Sequence, residues 1–355
     1  MKLGTNLGYF GVTSGVEDAR AVAAAAERLG FDSIWVSEAY STDAVSLMGW
    51  LAALTERVKI GSAIMAIPGR TATMTAQTAV TLDMLSGSRT IIGLGTSGPQ
   101  VAEGWHGQAF AKQLQRTREY VEVIRVALRR EVVSYDGETI TLPRPGGAGK
   151  ALKMIAHPPR PDTPIYLAAM GPKNTALCGE ICDGWLPLWY MPEFADELNG
   201  PLLEGIERAG RSREDVAICP GVNVLISDDP DAAIEMLRHP LALYVGGMGS
   251  RKQNFYNALI RRYGYEDVAE KVQDLYLDGK KAEAAAELPA ELVEKLSLIG
   301  PVERVAERLR DWAAAGVDTL MTLPAVAGPG FVEQLELVAE AAAQSGVVEL
   351  EPVPA

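Results

Sequence analysis

Several things that would narrow the class of this chain quickly are scarce. It has three cysteines and three histidines in 355 residues. Cys178, Cys182 and Cys219 give no disulfide framework, which points to a reducing compartment and a cytoplasmic protein. Cys178 and Cys182 stand four apart with no histidine beside them. They read as buried apolar thiols, and no metal site is expected. Positive charge is also short. With 33 Lys and Arg against 46 Asp and Glu, the net charge is −13 and the isoelectric point near 4.9. That argues against nucleic acid or an anionic membrane as a partner. No apolar run approaches the ~20 residues of a membrane span. Nor does a basic-then-apolar leader precede Lys2-Leu3-Gly4. What the chain does have is 48% hydrophobic residues, ample for a large core.

Those residues are arranged in a rhythm. Residues 2 to 8 read as a strand, followed by an Ala-rich helix that Gly30 stops. Phe31 to Ser37 is nearly unbroken in its apolar character, as suits a parallel strand buried on both faces. Helix and strand then alternate: Asp43–Thr55, Val58–Ile67, Thr71–Leu85, Thr90–Leu94 and Ala109–Arg130. Residues 131–163 interrupt, with a hairpin signal around Asp136-Gly137-Glu138. The alternation resumes at Ile165, and a second irregular, mostly helical stretch covers 231–298. A last helix and strand follow Gly300-Pro301. The junction Leu29-Gly30-Phe31-Asp32-Ser33 is echoed by Ala315-Gly316-Val317-Asp318-Thr319. Such an echo in the first and last units suggests equivalent places around a ring. The expected fold is therefore an α/β protein, a (β/α)8 TIM barrel forming one domain over 1–355, with insertions near 131–163 and 231–298. An open doubly wound sheet is the alternative.

The most telling stretch is 90–107, a strand running into a loop with five glycines, Trp105 and His106. It contains Gly93-Leu94-Gly95-Thr96-Ser97-Gly98, a formal dinucleotide fingerprint. The context is wrong for that fold, because three strand-helix units come first and no helix opens at once. In a barrel, ligands sit at the C-terminal ends of the strands. Those ends supply Tyr9, Glu38, Tyr40, Ala66, Thr96, Ala169, Trp185 and Asn223, a mouth that is aromatic and nearly uncharged. It suits a flat conjugated cofactor and an apolar substrate. Glu38 is the candidate acid, provided crowding raises its pKa; otherwise it is a solvated carboxylate. His106 either contributes to the site or bonds its own loop. Tyr9 and Tyr40 either line the cofactor or pack; Trp185, Trp189 and Tyr190 read as a pocket wall or as core; Tyr9, Tyr40, Trp105, His106 and Trp185 are the candidate substrate-pocket residues. Lys173, after Gly171-Pro172, either adds a cation to a phosphate site or merely starts a helix. Arg251, Lys252, Arg261 and Arg262 read as a solvated face.

Three segments carry a family resemblance: Ile91 to Trp105, Ile165 to Asn174 continuing to Pro187, and Leu29 to Val36. With them the chain resembles the luciferase-like monooxygenase superfamily, in the methylenetetrahydromethanopterin reductase-like branch that uses the deazaflavin coenzyme F420. The resemblance implies a barrel, usually homodimeric, and a non-proline cis peptide near Ala63-Ile64 against the deazaflavin. It implies that Thr96 and Gly98 border the ring system and that Ala168, Ala169, Met170 and Gly171 surround the phosphate; Ser97, like Thr96, offers a hydroxyl that can donate to the ligand. One departure stands out. Sugar-phosphate and alcohol dehydrogenases of the family carry Asp-His after the second strand and a Glu after the fourth. This chain has Glu38-Ala39 and Gly98-Pro99. The resemblance therefore favours a reductase that uses reduced F420 on an unsaturated or imine-like substrate, which the apolar mouth suggests is small and largely apolar. An FMN-dependent monooxygenase and a non-catalytic cofactor-binding protein are the alternatives.

Overall fold

The buried apolar runs are parallel strands, and they close on themselves. The computed structural model describes residues 1–249, 251, 254–326 and 328–351, so Lys252 lies outside the described residues. Strands β1 (Lys2–Asn6), β2 (Ser33–Val36), β3 (Lys59–Ser62), β4 (Thr90–Gly95), β5 (Ile165–Leu167) and β6 (Gly184–Trp185) lie side by side in chain order. β7 has two pieces, Ala217–Ile218 and Gly221–Ile226, separated by Cys219 and Pro220. The first piece pairs with β6. The second pairs with β9 (Thr319–Pro324), which in turn pairs with β1. One bent strand thus joins both ends of the ladder, and the open-sheet alternative falls. A strand the sequence reading absorbed into helix and turn, β8 (Ser297–Gly300), adds to the second piece of β7. Its four residues are too few to show a period.

Helices α1 (Val16–Leu29), α2 (Ala44–Leu54), α3 (Ala72–Ser86), α4 (Pro99–Ala102), α5 (Gln113–Leu128), α6 (Pro172–Ile181) and α7 (Ala195–Arg208) lie between the first seven strands. α8 (Pro230–Ala242), α9 (Phe255–Arg262), α10 (Glu266–Leu277), α11 (Lys281–Ala286) and α12 (Ala290–Lys295) fill the second irregular stretch around their own apolar cluster. α13 (Val302–Ala314) and α14 (Pro329–Ser345) flank β9. Gly30 ends α1 at φ 82°, a left-handed conformation that favours glycine. Asp43 caps α2 by accepting from Ser46 N at 2.8 Å.

Side-chain size shapes the ring's interior. Trp35 and Tyr166 point inward, with ring centroids 5.8 Å apart. They fit because the neighbouring strand positions are Gly61 and Gly184. A Cβ there would lie 2.4 Å from Trp35 and 2.6 Å from Tyr166. At the N-terminal face the echoed aspartates do one job. Asp318 accepts from Ile218 N at 2.7 Å and pairs with Arg213 at 2.8 Å. Asp183 accepts from Ile165 N at 2.7 Å, and Asp32 pairs with Lys59 at 3.1 Å. Each acid ties neighbouring chain to the foot of a strand.

The expected hairpin is partly redrawn. Tyr135–Asp136 pairs with Thr141–Leu142, but Val132–Val133 pairs instead with Leu152–Lys153. The turn is organised by Glu119, fully buried on α5, which accepts from Glu138 N, Thr139 N, Thr139 Oγ1 and Ile140 N at 2.5–2.8 Å. Burial alone would raise its pKa; the hydrogen bonds from Thr139, Gln115 and Glu138 outweigh it and hold the carboxyl at about 2. Because the native pKa is depressed, this stabilisation is complete above about 4.5 and disappears as pH falls toward about 2. Denaturant titrations from pH 5 to 2.5 should show a loss that Glu119→Gln largely flattens. Parallel slopes for the two proteins would refute this.

Candidate active site

Three neighbouring strands build the centre of the mouth. After β3 the chain turns through Ser62-Ala63-Ile64, and the Ala63–Ile64 peptide is cis. Residues Met65–Ala66 then rejoin the end of β4. Ser62 Oγ donates to Gly93 O at 2.8 Å and accepts from Gly93 N at 2.9 Å. This contact requires the glycine, since a Cβ at Gly93 would lie 1.8 Å from Ser62 O. A Cβ at Gly95 would meet Ile64 Cδ1 at 2.4 Å and Ala168 Cβ at 3.5 Å. Ala63, Ile64, Thr96 and Ala168, expected from three separate segments, therefore converge on one spot.

Beyond Gly95 the loop stays open. Among the described residues, Thr96 Oγ1 makes one long bond, to Ser97 O at 3.4 Å. Ser97, not Gly98, carries the left-handed backbone, at φ 58°. Gly98 is extended and starts α4, a short helix the sequence reading left as loop. A Cβ at Gly98 would meet only Gln100 Oε1, at 3.5 Å. The protein itself leaves that side free. Across the mouth, Trp185 Nε1 donates to Ala169 O at 2.8 Å and fixes the turn Ala168-Ala169-Met170-Gly171. Nothing lies within 4 Å of a Cβ built at Gly171. In the next turn, Asn174 Oδ1 is buried without a protein partner, as is His106 Nε2. Glycine-cleared backbone, free hydroxyls and unsatisfied polar atoms fit a flat ring system with a polar tail.

Glu38 stands past the end of β2 in a crowded setting, as expected, and the groups that crowd it are donors. Its side chain is 7% exposed and forks onto Arg70, with Nη1 2.6 Å from Oε1 and Nη2 2.8 Å from Oε2. Ala44 N donates at 2.9 Å and Ala66 N at 3.3 Å. The hydrogen bonds to Glu38 raise the Arg70 pKa above its ordinary value. Four donors surround the carboxylate and occupy its accepting positions. It ties α2 and the Met65–Ala66 segment to Arg70. Sequence reading missed Arg70, although residues 38 and 70 follow adjacent strands.

The remaining expected residues are spread out. Tyr40 and Trp105 are exposed on the rim, with centroids 6.5 Å apart. Lys173 lines an outer cleft of about 520 Å³ with Arg118, Glu180 and Arg208. Arg262 is exposed, as read from the sequence, and also donates to Met170 O at 3.2 Å. Tyr9 lies inside the mouth, with its hydroxyl 3.5 Å from that of Tyr244. All three cysteines are buried and free. Among the described residues, no group of three His, Cys, Asp or Glu is placed to hold a metal, and no helix is long and apolar enough to cross a membrane.

Such a barrel and mouth define a class, and the sequence agrees. Residues 2–319 match the luciferase-like monooxygenase family model, and the chain belongs to that family. A Mycobacterium tuberculosis protein named as a coenzyme F420-dependent oxidoreductase is 46% identical over 94% of this chain and 97% of its own length. The 5,10-methylenetetrahydromethanopterin reductase of Archaeoglobus fulgidus is 27% identical over 88% of this chain and 91% of its own. In fold, the F420-dependent tetrahydromethanopterin reductase of Methanopyrus kandleri superposes with a TM-score of 0.80 at 24% identity, covering 95% of this chain and 97% of the other.

Proposed function

We infer that this enzyme is a coenzyme F420-dependent oxidoreductase, moving hydride between the cofactor and a small, largely apolar organic substrate. The likeness to a relative of that name over nearly the whole chain supports the cofactor. The observation that carries the reading in this molecule is the glycine-cleared mouth, where Ile64, Gly95 and Ala168 meet. When bound, the deazaflavin supplies a carbon that gives or takes hydride and does not readily activate oxygen. Ile64 would back the ring, Thr96 and Ser97 would meet its polar edge, and Gly98 would allow close approach. Ala168 to Gly171 would receive the phosphate, with Arg262 as its cation in place of Lys173. Tyr9 and the rim pair Tyr40 and Trp105 would shield the reacting carbon from water. Glu38 is assigned as a positioning residue that holds Arg70 and the loops on either side of it. The paired dimer usual in the family is expected here too, and sedimentation would test it.

Titrating the protein into F420 should quench the deazaflavin fluorescence at micromolar concentration, with FMN binding much more weakly. FMN binding of equal strength would overturn the cofactor and favour the monooxygenase alternative.

A further inference from the structure

Above the cofactor-type surface lies a feature that the sequence reading did not assemble. Trp189, Tyr244 and Tyr256 pack edge to face, with centroids 4.9–5.7 Å apart. Trp189 follows β6 at the mouth, whereas Tyr244 and Tyr256 come from the helical stretch over it. Trp189 holds a left-handed backbone, at φ 53°, which is costly for a large side chain. Tyr263 Oη donates to its carbonyl at 2.6 Å and keeps it there. Surrounding structure thus over-determines an unfavourable conformation, a pattern that clusters at ligand sites.

The chemistry of this wall is narrow. Tyr9 comes up from β1 to place its hydroxyl beside that of Tyr244. The phenols of Tyr9, Tyr256 and Tyr40 lie near that of Tyr244, and Tyr9 also faces Tyr256. Among the described residues, no charged side chain hydrogen-bonds to either hydroxyl. Among the described residues, Tyr256 Oη makes no protein hydrogen bond, and Tyr244 Oη reaches only Tyr9. Burial keeps both protonated, with Tyr256 pushed up to about 12 and Tyr244 higher still.

We propose that Tyr9, Tyr244 and Tyr256 form a phenol clamp that selects a neutral substrate by donating hydrogen bonds to an uncharged oxygen, such as a ketone or enone carbonyl. A phenol donates without demanding a charge, and aromatic edges favour a flat partner. An anionic substrate would exchange its hydration at this wall for neutral phenols alone, which is expensive in a buried setting. Planar neutral carbonyl compounds are therefore favoured over carboxylates and phosphate esters. The clamp is a specificity device and rests on the hydride-transfer reading for its place above the ring.

The test uses three matched probes, cyclohex-2-enone, cyclohex-1-ene-1-carboxylate and cyclohexene. Binding is followed by titration calorimetry with and without F420, while fluorescence quenching reports F420 affinity separately. The enone should bind the wild-type protein at least ~10-fold more tightly than the carboxylate, about the discrimination one unpaired charge imposes. Tyr244→Phe and Tyr256→Phe should each weaken the enone about 3–10-fold, the range for one neutral hydrogen bond. Both should leave cyclohexene, F420 affinity and melting temperature unchanged. Preference for the carboxylate, no enone binding, or equal losses for enone and cyclohexene would each overturn the clamp. Loss of F420 binding by the wild-type protein with the enone pattern intact would overturn the cofactor reading and leave the clamp standing.

Discussion

Glu38→Ala should destabilise the fold by about 3–5 kcal/mol, the usual result of stripping the partner from a buried charge. Arg70 is 17% exposed and would keep its guanidinium with no carboxylate to meet it. Ala44 N and Ala66 N would lose their acceptor as well. Thermal or denaturant unfolding measures the loss. Glu38→Gln gives the sharper test of role. It keeps the shape but turns one accepting atom toward a donor, so stability should fall by less, and the pH–rate profile should keep both limbs. A missing limb, with a drop in kcat of about 10²–10⁴-fold, would restore Glu38 as the general acid. A melting temperature unchanged by Glu38→Ala would mean the fork contributes nothing.

The second large effect separates two glycines in the same strand-loop unit. Gly93→Ala should cost at least about 3 kcal/mol, beyond ordinary overpacking, because the new Cβ would overlap Ser62 O and backbone must move. It should also abolish F420 binding, since the segment that shifts is Ser62 to Ile64. Gly98→Val, by contrast, meets only the end of Gln100. It should melt like the wild type and still fail to bind F420, because the methyl groups occupy the side open to ligand. A stable Gly93→Ala protein would refute the packing account. A folded Gly98→Val protein with normal affinity would remove this loop from the site.

Much of this was legible before the coordinates. Apolar runs with helix-stopping glycines mark the barrel units, and the repeated Gly-apolar-Asp junction marks the feet of β2 and β9. Resemblance placed the cis peptide at Ala63–Ile64, where it lies. What escaped depends on contacts between distant segments. Nothing local to Glu38 announces Arg70, 32 positions away. The fingerprint-like spacing drew attention to Gly98, whereas Gly93 is the position where a larger residue would meet backbone. Tyr244 and Tyr256 sit in the irregular stretch whose helices carry no strand rhythm to orient them. β8 escaped for lack of length, and the break in β7 because Cys219-Pro220 interrupts an apolar run that otherwise reads as continuous.

The aspartate ties under the barrel have a bearing on how such a protein can be altered. Asp32, Asp183 and Asp318 are satisfied by Lys59, Arg125 and Arg213 at the end opposite the mouth. The fastening of the staves is thus spatially separate from the recognition surface, apart from the Glu38–Arg70 fork. Loops 9–14 and 103–112 carry none of these ties. They are the natural places to graft new sequence and retune substrate choice, whereas loops 37–43 and 67–71 could not be exchanged independently. The fork makes those two a single heritable unit, to be transplanted together or left alone.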